Sequence, residues 1–253
     1  MSEVVIDSGE GCFTVRERGG RVTELRPRTD LDNVLFSGPS DGLQGLDGGD
    51  RMWLAPETEV FYDDPSDPSS WRCPPELDPG SWSIQKQEGA VVLTQTALGA
   101  EMKRRIHPLD RFSPAGELPW SGYRVTNSVV TGERRSAWHL VVLPAPNEIY
   151  VRGAEDPMIY YPPAPPIRAG WIDADDKPPR WKAGFPPPGD SRCLIASSSR
   201  TDPGALVVLT ATLPADGTYV DVPPEGGDAA CVQAYNSGGD GFCEIELHAP
   251  LET

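Results

Sequence analysis

The stretch FCEIELHAPL, residues 242–251, places two carboxylates and one of the three histidines of the chain close together. Side chains alternate across a strand, so Cys243, Ile245 and Leu247 point one way, while Phe242, Glu244, Glu246 and His248 point the other. A second histidine, His139, lies in SAWHLVVLP, where Trp138, Leu140 and Val142 alternate with Ala137, His139, Val141 and Leu143. An imidazole and a carboxylate on either side of a small ring can work as acid and base together. Opening a cyclic hemiacetal needs one proton delivered to the ring oxygen and another drawn from the anomeric hydroxyl, and neither transfer requires a metal or a cofactor. This chemistry assigns His139 as donor and Glu246 or Glu244 as acceptor. The competing reading of His139 is a buried imidazole satisfied by a backbone carbonyl. His248 directly precedes Ala249 and Pro250, where strand pairing should stop, so it is expected at a rim and outside the catalytic set.

GGDRMWLAPE, residues 48–57, adds binding groups. Its glycines permit close backbone approach, Arg51 brings a forked donor, and Trp53 a flat apolar face. Arg51 either hydrogen-bonds substrate oxygens or serves as a structural ion-pair partner. Asp50 and Glu57 beside it are expected to be solvated. Two proline-rich stretches, residues 62–80 and 156–190, read as long loops and carry Trp71, Tyr160, Tyr161, Trp171 and Trp181. Such rings either stack on a sugar-like ligand or pin the loops to the body of the protein. Lys103, Arg104 and Arg105 form a local cationic run that would suit a phosphorylated sugar.

The elements that must position these groups are strands. With 28 prolines and 26 glycines in 253 residues, helices of ordinary length have little room. Short apolar or alternating runs (VVIDS, CFTVRERG, RVTELRP, AVVLTQTAL, EMKRRIHPL, YRVTNSVVTG, SAWHLVVLP, CLIASSS, ALVVLTATL, CVQAYNSG and FCEIELHAPL) are separated by Gly, Pro, Asp and Ser clusters. This is the pattern of an all-β antiparallel sandwich or barrel, read here as one domain over residues 1–253. A formal net charge of -16 argues against a nucleic-acid partner and against an acidic membrane surface. MSEVVIDSGEG lacks a basic and then apolar leader, and no apolar run approaches a membrane span, so a soluble cytoplasmic protein is expected. The five cysteines, Cys12, Cys73, Cys193, Cys231 and Cys243, show neither a C-x-x-C pair nor zinc spacing, and Cys243 should be a buried apolar group. No metal and no cofactor is expected.

GGDRMWLAPE resembles the GG-x-R-x-W-x-x-P-E signature of a bacterial branch of galactose mutarotase-like proteins. GGRVTELR is similar to the first hairpin of that group, RVTNSVVTGERRSAWHLVVLP to its apolar Trp strand, RWKAGF to its lysine segment, and CVQAYNSGGDGFCEIELHAP to its closing hairpin. The resemblance implies a large antiparallel β-supersandwich whose concave sheet holds the ligand. It implies that His139 protonates a ring oxygen and that Glu246, or Glu244 one step along the face, is the base. A second histidine of aldose epimerases has no counterpart: His107 falls on another strand, with Arg105 on its face and Arg104 facing away. Asp156 and Asp173 are candidates for a sugar-binding aspartate. The expected function is a cofactor-independent isomerase of a sugar or sugar-like hemiacetal, with Arg51, Trp53, Lys182, Trp171 and Trp181 binding the small-molecule substrate. The same scaffold acting as an isomerase, cyclase or lyase on a specialised metabolite, or as a non-catalytic carbohydrate binder, are the alternatives.

Overall fold

The computed structural model describes residues 2–39, 45–109, 119–153, 156–174, 179–200 and 204–251. These residues form an all-β protein of three antiparallel sheets. The largest has nine strands in the order β1 (Glu3–Ser8), β2 (Gly11–Arg16), β3 (Arg21–Arg26), β4 (Asp50–Ala55), β9 (Ser136–Pro144), β18 (Phe242–His248), β17 (Val232–Asn236), β14 (Trp181–Phe185) and β11 (Met158–Tyr161). A five-stranded sheet runs β12 (Ile167–Arg168), β13 (Trp171–Ala174), β10 (Asn147–Val151), β15 (Arg192–Ser199) and β16 (Leu206–Thr212). The third runs β5 (Ser83–Gln87), β6 (Ala90–Ala97), β7 (Ala100–Pro108) and β8 (Tyr123–Thr131). One helical turn, α1 (Glu57–Val60), follows β4 at Pro56. Among the described residues no helix is long and apolar enough to cross a membrane.

All eleven apolar runs expected as strands are strands. One expectation fails: residues 156–190 are not a long loop, because β11, β12, β13 and β14 lie within them, and β14 pairs on both sides inside the large sheet. The described prolines of this stretch, at 157, 162, 163, 165, 166, 179 and 186–188, all sit outside these short strands, where no ladder bond is needed. Residues 62–80 do form an irregular connection, with a 3-10 turn at Pro68–Ser70.

The register of the large sheet decides what each side chain can meet. Directly opposed residues of an antiparallel pair share a face. Across β4, β9, β18 and β17, Arg51 faces Leu140, Leu140 faces Glu246, and Glu246 faces Gln233. One step along, Glu244 faces Tyr235 and Tyr235 faces Lys182, which faces Tyr161 on β11. Trp53, Trp138 and His248 make a third row on this face. The opposite face carries Asp50, Met52, His139, Val141, Cys243, Ile245 and Leu247.

Both smaller sheets pack on that opposite face. Arg104 of β7 and Tyr123 of β8 reach Asp50, and Asn147 of β10 reaches the Cys243 sulfur at 3.3 Å. The face carrying Glu244 and Glu246 is covered instead by α1 and its connection, whose Phe61 ring lies 4.9 Å from Trp53 and 5.4 Å from Trp138. β18 is therefore buried along its whole length and β9 along all but its last residue. The apolar face of β18 fills the space between sheets, including Cys243. Edge strands β1 and β16 alternate, one face wet and one face packed.

Candidate functional site

The site assembles on the face of the large sheet that α1 covers. Gly49, at φ +92°, starts the local geometry: a Cβ there would sit 2.4 Å from the Val22 carbonyl oxygen, so only glycine lets β4 approach β3 so closely. Arg51 then projects onto the site face, where its guanidinium lies 4.1 Å over the Trp53 ring. It donates to Glu244 Oε1 at 3.2 Å and to the Asp47 carbonyl at 2.7 Å, and stands 3.8 Å from Asp78. Asp78 also pairs with Arg21 and accepts from the Trp53 indole at 3.0 Å.

Lys182 holds the other end. Its ammonium donates to Glu57 at 2.8 Å, lies 3.3 Å from Glu246, and sits 4.6 Å over the Trp138 ring. Trp138 donates its indole N–H to Glu246 at 2.8 Å, and His248 stacks on Trp138 with ring centres 5.3 Å apart. Glu57, the first residue of α1, accepts from Trp71 and from the Tyr161 hydroxyl, both at 3.0 Å. Its backbone N–H, left without a partner inside so short a helix, donates to Asp221 at 2.6 Å. Asp221 accepts from Gln233 as well, and its carbonyl accepts from Tyr160 at 2.8 Å. Gly184 makes room for this ring: a Cβ there would meet Tyr160 at 2.6 Å.

Electrostatically the carboxylates are driven apart. Burial pushes Glu244 up to about 7, with Glu246 adding to the rise and Arg51 only partly offsetting it. Burial would also raise Glu246, but the Lys182 ammonium, His248 and the Trp138 N–H together outweigh it, and Glu246 is held below the ordinary glutamate range. Glu57 is raised, by burial first and by Asp221 and Glu246, against Lys182. Burial alone would lower Lys182; Glu246 and Glu57 outweigh it and keep the ammonium charged. Burial and Glu57 raise the Tyr161 hydroxyl, so it acts as a hydrogen-bond donor and not as a phenolate. Five carboxyl groups (Glu57, Asp78, Asp221, Glu244 and Glu246) face three cations (Arg21, Arg51 and Lys182), so a retained proton on Glu244 lowers the excess of negative charge. The Glu244 and Glu57 side chains are the edge of the cluster that solvent touches, at 8% and 7% exposure. Several buried polar atoms remain without a hydrogen bond: Glu246 Oε1, Gln233 Oε1, Arg51 Nε and both His248 nitrogens.

Of the residues expected from sequence, Glu244, Glu246, Arg51, Trp53 and Lys182 come together here. His139 does not. It pairs in register with Met52 and Leu247, so the alternation that places Glu246 on one face sends His139 through the sheet to the other. Neither reading of its partner holds as stated: its ring meets Asn127 at 2.9 Å and Asp50 at 3.4 Å, not a backbone carbonyl. Asp50 and Glu57 are buried, not solvated, because each answers buried cations: Arg104 pairs with Asp50, and Lys182 with Glu57. Asp50 lies well below the usual range, since His139 and Arg104 outweigh its burial. His248 is fully buried against Trp138 rather than at a rim, because pairing continues through it. Trp181 packs between sheets opposite Asn236, and Trp171 lies on β13 against Tyr150 at 5.2 Å, so neither lines this site. Asp173 pairs with Arg200 at 2.9 Å on β13, and Asp156 is exposed. Arg104 points inward to Asp50 while Arg105 points outward to His107 at 2.9 Å, which divides the cationic run between two faces.

Glu57, Asp78, Asp221, Gln233 and His248 are the members that residue-by-residue reading missed, while Tyr161, named there among the loop aromatics, joins them through Glu57. The available signal for Glu57 was its place at the end of GGDRMWLAPE, in line with Arg51 and Trp53. Among the described residues no group of three or more His, Cys, Asp or Glu side chains is arranged to hold a metal ion. Comparison with protein families, with curated proteins and with solved structures found no match.

Proposed function

We propose that this face is an acid-base site for a small polyhydroxylated molecule and that the protein is a cofactor-independent isomerase of a sugar or sugar-like hemiacetal, on a mutarotase-like supersandwich. The observation that carries the reading is Glu244 and Glu246, two residues apart on one strand face, Glu244 beside Arg51 at 3.2 Å and Glu246 beside Lys182 at 3.3 Å. Environments that push neighbouring carboxyl groups in opposite directions supply an acid and a base in the same place. Glu244, protonated below about pH 7, delivers its proton to the ring oxygen. Glu246, whose Oε1 has no hydrogen bond, takes the proton of the anomeric hydroxyl; because it is fully buried, this scheme requires the substrate to displace the covering turn α1 to reach it. The ring C–O bond breaks as the carbonyl forms; closure on the other face of the carbonyl returns both protons. Arg51 and Lys182 orient substrate oxygens, and Glu57, Tyr161 and Trp71 form the side of the site nearest solvent. His139 has no part in proton transfer in this scheme.

The test is proton NMR of freshly dissolved α-glucose and α-galactose, with a panel of other neutral and phosphorylated aldoses, with and without protein. Acceleration of anomer exchange that Glu244→Gln and Glu246→Gln each reduce at least a hundredfold supports the proposal. No acceleration across the panel, or acceleration indifferent to Glu244→Gln, rejects it. Saturable sugar binding without exchange would make the protein a carbohydrate binder.

A further inference from the structure

A cavity lies on the far side of the large sheet, where the connection after β3 meets the ends of β9, β15 and β16. It encloses about 310 Å³, and its walls include the apolar side chains Val34, Leu143 and Val207. Two buried polar groups lie at its floor, each 2% exposed: Asn147 and Ser197. The Asn147 amide nitrogen is committed, donating to the Pro144 carbonyl at 2.6 Å and to Cys243 at 3.3 Å. Its Oδ1 has no hydrogen bond. Ser197 Oγ lies beside the Cys243 thiol yet completes no hydrogen bond either. Buried polar groups are rarely left this way without a missing partner.

The missing partner must donate. Asn147 offers only an acceptor, Ser197 accepts as readily as it donates, and the exposed mouth carries the carboxylate of Asp32 beside that of Asp30, which is already paired with Arg28. No Lys, Arg or His lines the cavity among the described residues, so an anionic ligand would find no cation there to balance its charge. An ammonium group supplies several N–H donors and a charge that strengthens each bond, and the net charge of -16 favours its approach. From these observations we propose that this cavity binds a small protonated organic amine, its head on Asn147 Oδ1 and Ser197 Oγ and its carbon chain against Leu143, Val34 and Val207. The site is separate from the proposed acid-base site. Cys243 and Glu244 are neighbours on β18 and point to opposite faces, so the two ligands lie on opposite sides of one sheet.

Isothermal titration with n-propylammonium, n-propanol and propionate, at low salt and pH 7, separates the possibilities. Saturable binding of the ammonium at least tenfold tighter than of the alcohol, with none for propionate, is expected. Asn147→Ala should weaken it at least tenfold. Asn147 also anchors the Pro144 carbonyl, so Ala205→Trp, which fills the cavity from its rim without touching the floor, provides a second loss. Ammonium and alcohol binding equally, no saturable binding at all, or binding untouched by Ala205→Trp would overturn the proposal. Since none of these reads out sugar chemistry, failure here is distinct from failure of the acid-base site.

Discussion

Replacing Lys182 by methionine tests whether the buried charge cluster is held by this one ammonium. The substitution keeps length and apolar stem but leaves Glu57 and Glu246, which stand 2.8 and 3.3 Å from the ammonium, without their shared cation. Removing one partner of a buried ion pair costs about 3–5 kcal/mol, because the other charge stays uncompensated in a dry environment. For a domain of this size each kcal/mol lowers Tm by roughly 2–4 °C, so a fall of about 6–20 °C is expected at pH 8. The pH dependence carries the sharper information. In the wild type Lys182 holds Glu246 low, and that contribution is lost as pH falls through its folded pKa. In the variant burial raises both glutamates above their unfolded value of about 4.3; the folded state then binds extra protons, and stability present at low pH is lost as pH rises through the raised values. The gap between the proteins must therefore narrow from pH 8 to pH 5. Urea denaturation at both pH values measures it. A gap under about 1 kcal/mol at pH 8, or one equal at both pH values, would show that Lys182 does not neutralise these carboxylates.

Glu244 should titrate near pH 7, visible as a carboxyl chemical-shift change in carbon-13 NMR that Glu244→Gln removes; because its folded pKa is raised, it should also make the protein lose on the order of 3 kcal/mol of stability between about pH 4.5 and pH 8. A titration midpoint below 5 would contradict this. His139→Asn should leave any sugar exchange within about twofold of wild type while lowering stability by about 1–3 kcal/mol through loss of the Asp50 contact, as read by denaturant midpoint. A hundredfold loss of exchange with unchanged stability would restore His139 to the chemistry. Gly184→Ala should cost about 1–3 kcal/mol, since the added carbon meets Tyr160 at 2.6 Å and Ala230 at 2.7 Å; a denaturant midpoint equal to wild type would mean the Tyr160 ring yields freely.

How far the fold could be read from sequence depended on where each strand lies. Edge and one-sided strands such as β16 and β8 alternate cleanly, and the buried pair β9 and β18 show as continuous apolar or mixed runs bounded by Gly and Pro. β4 escaped because DRMWLA mixes two charges into six buried positions, a pattern that pays no regard to period two unless both faces are inside. β11 to β14 escaped because two to five residues between prolines offer too little pattern to register. Their place in the sheets is decided by partners far along the chain, such as Tyr235 opposite Lys182.

For the site, period two decides which side chains share a face within one strand, but not how the faces of two strands meet. Glu244 and Glu246 share a face because they lie two residues apart on one strand. His139 was grouped with them although nothing in a single strand states which of its faces meets the carboxylates of another. That depends on register: Leu140, not His139, stands opposite Glu246. A shift of one residue would have exchanged the two faces of β9 and brought the imidazole to the face of Glu244 and Glu246. The buried charges supply a cue that sequence leaves implicit. Each face of the sheet carries its own set of paired charges, Lys182 and Arg51 with Glu57, Glu244 and Glu246 on one, Arg104 with Asp50 and His139 on the other. A slipped register would put Asp50 and His139 among the aromatic rings of the covered face and strand Arg104 without its carboxylate. The pairing of buried ions thus fixes the register of β4, β9 and β18, and with it which groups share the site.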